Sequence, residues 1–359
     1  MLKSYKTEID PTGEQINKIK RTIGVSRFIY NFYISENQRI YKEKGSFISA
    51  FDFSKWLNNE FLSQNEDYSW IKEVPSKSVK QSIMNAETAF KKFFKGKAGF
   101  PNFKKKNKNE AKMYFVKNSN SDCLCERHRV KVPTLGWVKL KEKGYIPTSK
   151  DGYTIKSGAI SYHAGRYYIS CLVEIEEESK LELNSFGLGI DLGLSKFAIV
   201  SNGLIFDNIN KSKRIIKLEK KLKREQRSLS RKYEQAKNIK KGGATYKNID
   251  KQKLKVQKLY AKLTNIRTDY INKIISELVK TKPTFITIED LNVSGMMKNK
   301  HLARSIANQK FYEFRIKLIF KCNHLGIEVR IANRFYPSSK TCHNCGHVKK
   351  DLKLSLIHI

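Results

Sequence analysis

Two acidic positions about a hundred residues apart carry the clearest chemistry in this 359-residue chain. Asp191 closes the run Phe186-Gly187-Leu188-Gly189-Ile190-Asp191, and Glu289-Asp290 closes Thr284-Phe285-Ile286-Thr287-Ile288. Each run has the length and apolar content of a buried strand, so each carboxylate stands where a strand runs out. Carboxylates so placed bind Mg²⁺ or Mn²⁺, and the ion stabilises charge on the attacking and leaving oxygens of a phosphodiester. Asp191 alone fits a turn aspartate equally well. A second acidic strand end favours the metal reading, because hard cations beside bound phosphate explain acidic groups in a basic chain. The competing reading pairs both carboxylates with nearby Lys or Arg. Spacing leaves open whether Glu289 or Asp290 is the ligand.

Cys342-His343-Asn344-Cys345-Gly346 has the two-residue gap of a zinc knuckle. Cys342 and Cys345 make only half of a tetrahedral site. His343, His347 and His358 read better as surface histidines than as the missing ligands. The six cysteines follow no secretory start, which predicts a reducing, cytoplasmic compartment and no disulfide framework.

Lys and Arg number 71 against 34 Asp and Glu, a net charge of +37. Such a field draws nucleic acid. A membrane partner is excluded as the main reading, since no apolar run approaches the roughly 20 residues of a spanning helix. Aromatic and basic residues mix at Arg27-Phe28-Ile29-Tyr30-Asn31, Phe103-Lys104 and Arg166-Tyr167-Tyr168, and a long basic stretch opens with Lys213 and Arg214. Arg27, Tyr30, Asn31, Phe103, Lys104, Arg166, Lys213, Arg214, Arg224 and Arg231 are the candidate nucleic-acid contacts, although most individual rings fit a core better than a stacking platform.

The elements that must position these groups form a multi-domain α+β chain. Residues 1–10 alternate like a strand. Thr12-Gly13-Glu14-Gln15 is a capping box opening a helical module over 11–108. Short β-rich runs over 109–180 predict a small barrel or sandwich, with a hairpin turn at Ala164-Gly165. From 181 to 335 an α/β domain is expected: a three-strand meander, a helical hairpin over about 211–280 turning near Gly242-Gly243, a buried strand at 284–288, one amphipathic helix over 306–320 and a strand at 327–331. Residues 336–359 hold the cysteine segment.

In order along nearly the whole chain, these segments resemble the TnpB (OrfB) family of insertion-sequence proteins, relatives of type V CRISPR effectors. The resemblance rests on Arg27-Phe28-Ile29-Tyr30-Asn31, Gly99-Phe100-Pro101-Asn102-Phe103-Lys104, Gly189-Ile190-Asp191-Leu192-Gly193, Asn265-Ile266-Arg267-Thr268-Asp269, Ile288-Glu289-Asp290-Leu291 and Tyr336 to Gly346. It implies a helical recognition module, a β-barrel wedge domain, a RuvC domain of RNase H-like fold with a helical-hairpin insertion, and a zinc ribbon. It implies Asp191 and Glu289 as catalytic metal ligands, with Asp290 a neighbour. It implies an RNA-guided DNA endonuclease that takes a guide RNA from the transposon end and a double-stranded target with a short flanking motif. Mg²⁺ or Mn²⁺ would serve catalysis and Zn²⁺ the ribbon, in a bacterial, nucleoid-associated setting.

Family members continue to a second cysteine pair and a third catalytic Asp, whereas this sequence stops at Leu354-Ser355-Leu356-Ile357-His358-Ile359. Those residues match the translation of a transposon-end oligonucleotide used in sequencing-library preparation. The expectation is therefore a truncated reading frame that binds but cleaves little. The alternatives are a nuclease-dead RNA-guided repressor and a non-catalytic DNA-binding transposition accessory protein.

Overall fold

The structure is a computed structural model that describes residues 2–106, 112–119, 121–175, 182–238 and 246–334, together with 341, 345, 347 and 348. It divides into two compact units, Met1–Glu177 and Glu178–Ile359.

In the first unit the opening strand β1 (Leu2–Asp10) ends at Pro11, and α1 (Gly13–Lys44) starts one residue after its cap. The capping box forms as expected: Thr12 N–H donates to Gln15 Oε1 at 3.0 Å, and Gln15 N–H donates to Thr12 Oγ1 at 3.3 Å. Helix α1 stops at Gly45, whose φ of 62° lets its N–H cap Tyr41. Next, α2 (Ala50–Trp56) runs through one π turn (Leu57–Phe61) into the short α3 (Leu62–Gln64), and α4 (Ser76–Phe94) packs back on α1. Ile29, Tyr33, Phe53, Leu57, Ile83 and Phe90 make their shared core. Each such side chain, fully buried, contributes about 1.5–3 kcal/mol. Tyr33 and Phe53 meet edge to face at 5.0 Å, so the aromatic density of this module is chiefly core.

The β part of this unit is a single antiparallel sheet of order β2-β5-β6-β1-β4-β3. Its members are β2 (Met113–Val116), β3 (Arg129–Val132), β4 (Gly136–Leu140), β5 (Thr154–His163) and β6 (Arg166–Glu174), with β1 in the middle. The order is open, with β2 and β3 as edges, so the expected barrel is a half-barrel. Strand β5 carries a register shift between Ile155 and Ser157. The turn lies at Ala164-Gly165 as predicted, with φ of 50° and 84°, the left-handed pair that a two-residue hairpin requires.

The second unit holds a mixed sheet of order β11-β10-β7-β8-β9. β7 (Gly187–Leu192), β8 (Lys196–Val200) and β9 (Ile205–Asp207) form the antiparallel meander, while β10 (Phe285–Glu289) and β11 (Glu328–Ala332) add in parallel beside β7. Between them run α5 (Lys213–Asn238) and α6 (Tyr246–Lys280), and after β10 come α7 (Val293–Met296), α8 (Ala303–Gln309) and α9 (Phe311–Leu325). Leu188, Ile190, Ile286 and Ile288 of the sheet bury against Ile271, Ile274 and Leu278 of α6 and Phe314 and Leu318 of α9. The α5–α6 pair is antiparallel, closed by Ile215, Leu222, Val256 and Leu263. Gln252 Nε2 crosses it to the Glu225 carbonyl at 3.0 Å. The predicted turn at Gly242-Gly243 lies outside the described residues. One expectation is corrected: the helix over 306–320 is two helices, broken at Lys310, whose φ of 58° is left-handed. Its amine binds Thr268 Oγ1 at 2.8 Å and also Glu313, which anchors the break to α6. Among the described residues, no helix is long and apolar enough to cross a membrane.

Candidate metal site and nucleic-acid surface

Alternation along β7 sends Leu188, Ile190 and Leu192 into the core and leaves Gly187, Gly189 and Asp191 on the opposite face. Along β10, Ile286 and Ile288 go inward, and Phe285, Thr287 and Glu289 share the face of Asp191. The parallel register pairs Phe285 with Gly187 and Ile288 with Ile190. One residue further on, Asp191 and Glu289 stand side by side, on strands separated by about 4.8 Å. Burial, and then the charge of Asp191, push the Glu289 carboxyl above its ordinary range. Two neighbouring carboxylates, that of Glu289 half-buried, fit the donor chemistry of a hard divalent cation that keeps several waters. No group of three or more His, Cys, Asp or Glu suited to a metal occurs among the described residues.

Asp290 points elsewhere. Its carboxylate accepts from Arg315 Nη1 at 2.6 Å and from Arg334 Nη2 at 2.6 Å, while Arg334 Nε donates to its carbonyl at 3.1 Å. The Arg315 hydrogen bond is the main cause that holds its carboxyl below the usual range. Glu289 thus shares a face with Asp191, whereas Asp290 faces two guanidiniums. Sequence reasoning missed Arg315 and Arg334. The strand period of two separates the adjacent acids onto opposite faces, but nothing in the sequence marks Arg315 or Arg334 as the partners of Asp290.

Gly187 is required by its neighbour. A Cβ there would lie 2.1 Å from the Phe285 ring, which itself carries the Arg330 guanidinium at 3.7 Å from its centroid. Gly189 N–H donates to Ser201 Oγ at 2.9 Å, tying β7 to the end of β8.

The nucleic-acid candidates divide into two groups. Asn31 clasps the backbone of Lys104, its Nδ2 donating to the carbonyl at 3.0 Å and its Oδ1 accepting from the N–H at 2.7 Å. The Lys104 amine sits 3.7 Å over the Tyr30 ring, and burial lowers its pKa. Tyr30 itself is buried. These three residues therefore dock the basic connector, residues 95–106, onto α1, leaving Phe103 exposed beside it. Arg27 is half-buried on α1. Arg166 pairs with Glu8 at 2.7 Å at the start of β6. By contrast Lys213, Arg214, Arg224 and Arg231 all lie exposed along α5. Lys223, Arg227 and Arg231 line an open groove on that helix.

Of the two cysteines expected to form half of a zinc site, Cys342 lies outside the described residues, as do His343 and His358. Cys345 is exposed and free, and Thr341 forms a bridge with Val348.

Three families match parts of the chain: probable transposases of the OrfB type over residues 170–300, a helix-turn-helix domain over 1–46, and a Cas12f1-like TNB domain over 311–357. The 1–46 segment is here one strand and one long helix. InsQ of Escherichia coli (strain K12), provisionally named an RNA-guided DNA endonuclease, is 31% identical over 99% of this chain and 86% of its own length. A Streptomyces pristinaespiralis protein with the same provisional name is 28% identical over 99% of this chain and 83% of its own. Among solved structures, Cas12f1 in a complex with sgRNA and target DNA superimposes with a TM-score of 0.54 at 16% identity, covering 94% of this chain and 76% of that one. Identity of this level across nearly the full length of both chains makes the protein a member of the TnpB (OrfB) family.

Proposed function

We propose that the chain is an RNA-guided DNA endonuclease whose RuvC-type site is built on Asp191 and Glu289. The observation that carries this reading is their adjacency on one face of β7 and β10. The β11-β10-β7-β8-β9 order, an antiparallel meander extended by two parallel strands, supports an RNase H-like domain over 181–335. The names of the E. coli and Streptomyces relatives, and the sgRNA and target DNA bound by Cas12f1, support RNA and DNA as partners.

In this reading Asp191 and Glu289 hold Mg²⁺ or Mn²⁺. Bound there, the ion supplies charge stabilisation at the attacking and leaving oxygens of the scissile phosphodiester. Asp290 engages Arg315 and Arg334, which keeps those cations from neutralising the two ligands. The exposed cations of α5 hold nucleic-acid backbone. The half-barrel, formed by residues 1–10 and 109–180, serves as the wedge, and residues 11–108 as the recognition module. Guide pairing reads sequence, while the protein reads duplex shape and a short flanking motif. Cys342 and Cys345 contribute half of a Zn²⁺ site in the 336–359 segment.

The test is purification of the chain expressed with its flanking element DNA, sequencing of the RNA it retains, and incubation with matching DNA and Mg²⁺. A discrete RNA from the element end and guide-dependent DNA binding with little cleavage are expected. Recovery of no stable RNA sinks the guided reading, and robust Mg²⁺-dependent cleavage sinks the expectation of a weakly cleaving chain.

A further inference from the structure

Gln309, the last residue of α8, is a buried amide engaged at both ends. It is 2% exposed. Its Nε2 donates to the Gly193 carbonyl at 3.2 Å, and its Oε1 accepts from Asn210 Nδ2 at 3.3 Å. Gly193 begins the β7–β8 turn, two residues beyond Asp191. The same turn is held from a second side, because Asn208 Nδ2 donates to the Leu194 carbonyl at 2.8 Å. Gly193 N–H closes the turn on the Phe197 carbonyl at 3.2 Å.

The bonding continues outward. Asn210 Oδ1 accepts from Arg267 Nε at 2.7 Å, and Arg267 Nη2 pairs with Glu219 of α5 at 2.7 Å. A side-chain relay thus runs from the base of the α5–α6 hairpin through Arg267, Asn210 and Gln309 to the backbone beside Asp191. Burying an amide here has a desolvation cost that an apolar residue would avoid. What the amide supplies in return is a donor to a turn carbonyl, and that turn sets where β7 ends relative to β10. Metal ligands must be held within about 0.5 Å to bind well.

We propose that Gln309 is a positioning residue for divalent-metal binding: by holding the Gly193 carbonyl it fixes Asp191 opposite Glu289, and the Asn210–Arg267 relay ties that position to the hairpin base. The proposal rests on the metal reading of Asp191 and Glu289.

Calorimetric titration of Mn²⁺ into the full chain tests it with four variants. Gln309→Met keeps the side-chain length and removes the donor. It weakens Mn²⁺ binding about ten- to a hundredfold, the range typical when an outer partner of a metal ligand is removed, with an unchanged circular dichroism spectrum. Ile306→Val, a packing change on the same helix, lowers the melting temperature and leaves Mn²⁺ affinity alone. Asp191→Asn abolishes binding. Wild-type affinity in Gln309→Met, with binding abolished in Asp191→Asn, overturns the positioning role and spares the metal site. Retained binding in Asp191→Asn overturns both. If Gln309→Met does not fold, Arg267→Lys carries the test, because it keeps a charge beside Glu219 but gives up the bond to Asn210. Unchanged Mn²⁺ affinity in that variant also overturns the proposal.

Discussion

Glu289 stands beside Asp191 on the neighbouring parallel strand, and burial together with the Asp191 charge raises its pKa. In the unfolded chain this carboxyl ionises near its ordinary value of about 4.3, whereas in the fold it keeps its proton to higher pH. Without divalent ions, stability therefore falls as pH climbs from that range through the raised folded value. Glu289→Gln removes the penalty. Its melting temperature in EDTA at neutral pH should exceed that of the wild type, with the difference vanishing at acid pH. A variant that melts lower than wild type at neutral pH would count against the pairing.

The Gly187–Phe285 contact predicts an overpacking defect. Gly187→Ala drives a methyl into a ring 2.1 Å away and should cost about 1–3 kcal/mol. Adding Phe285→Ala opens the space and should recover part of that loss, although it also gives up the Arg330 stack. Denaturant unfolding of both variants checks this. Additive losses would contradict the contact.

How much of the site was legible differs residue by residue. Asp191 and Glu289 were readable because an acid ending an apolar run is conspicuous. The choice between Glu289 and Asp290 was not, since Phe285, Ile286 and Ile288 are all apolar and conceal which face of β10 is buried. The break at Lys310 carries no Gly or Pro, and the tertiary bond that ties its amine to Thr268 of α6 leaves no local trace. The strand β2 is only four residues long and pairs with β5 far along the chain. Aromatic-basic mixing singles out Tyr30 and Asn31, but it is equally the composition of a docking seam, so the clasp on Lys104 had no separate signal.

The Asn31 clasp gives a prediction for the connector. Asn31→Ala removes two hydrogen bonds to the Lys104 backbone, each with a net contribution of about 0.5–1.5 kcal/mol. Amide exchange at Lys104 and proteolysis across 99–106 should both accelerate, while the α1–α4 core keeps its protection. Unaltered exchange at Lys104 would show that other interactions hold the segment.

The α5 surface predicts a salt signature. Replacing Lys213, Arg214, Arg224 and Arg231 together by Gln should lower the slope of log affinity against log salt for single-stranded RNA by about 3, at roughly 0.7 for each phosphate no longer neutralised. Filter binding between low and moderate salt measures it. A slope equal to that of the wild type would place the RNA elsewhere.

Everything proposed about catalysis requires one divalent ion to be shared between two strands. The direct measurement is the electron paramagnetic resonance signal of Mn²⁺ added in equal amount to wild type, Asp191→Asn and Glu289→Gln. Free Mn²⁺ should be depleted by the wild type and restored to nearly the protein-free level by either substitution. Depletion that survives both substitutions would mean that the ion binds elsewhere and that this pair is not a metal site.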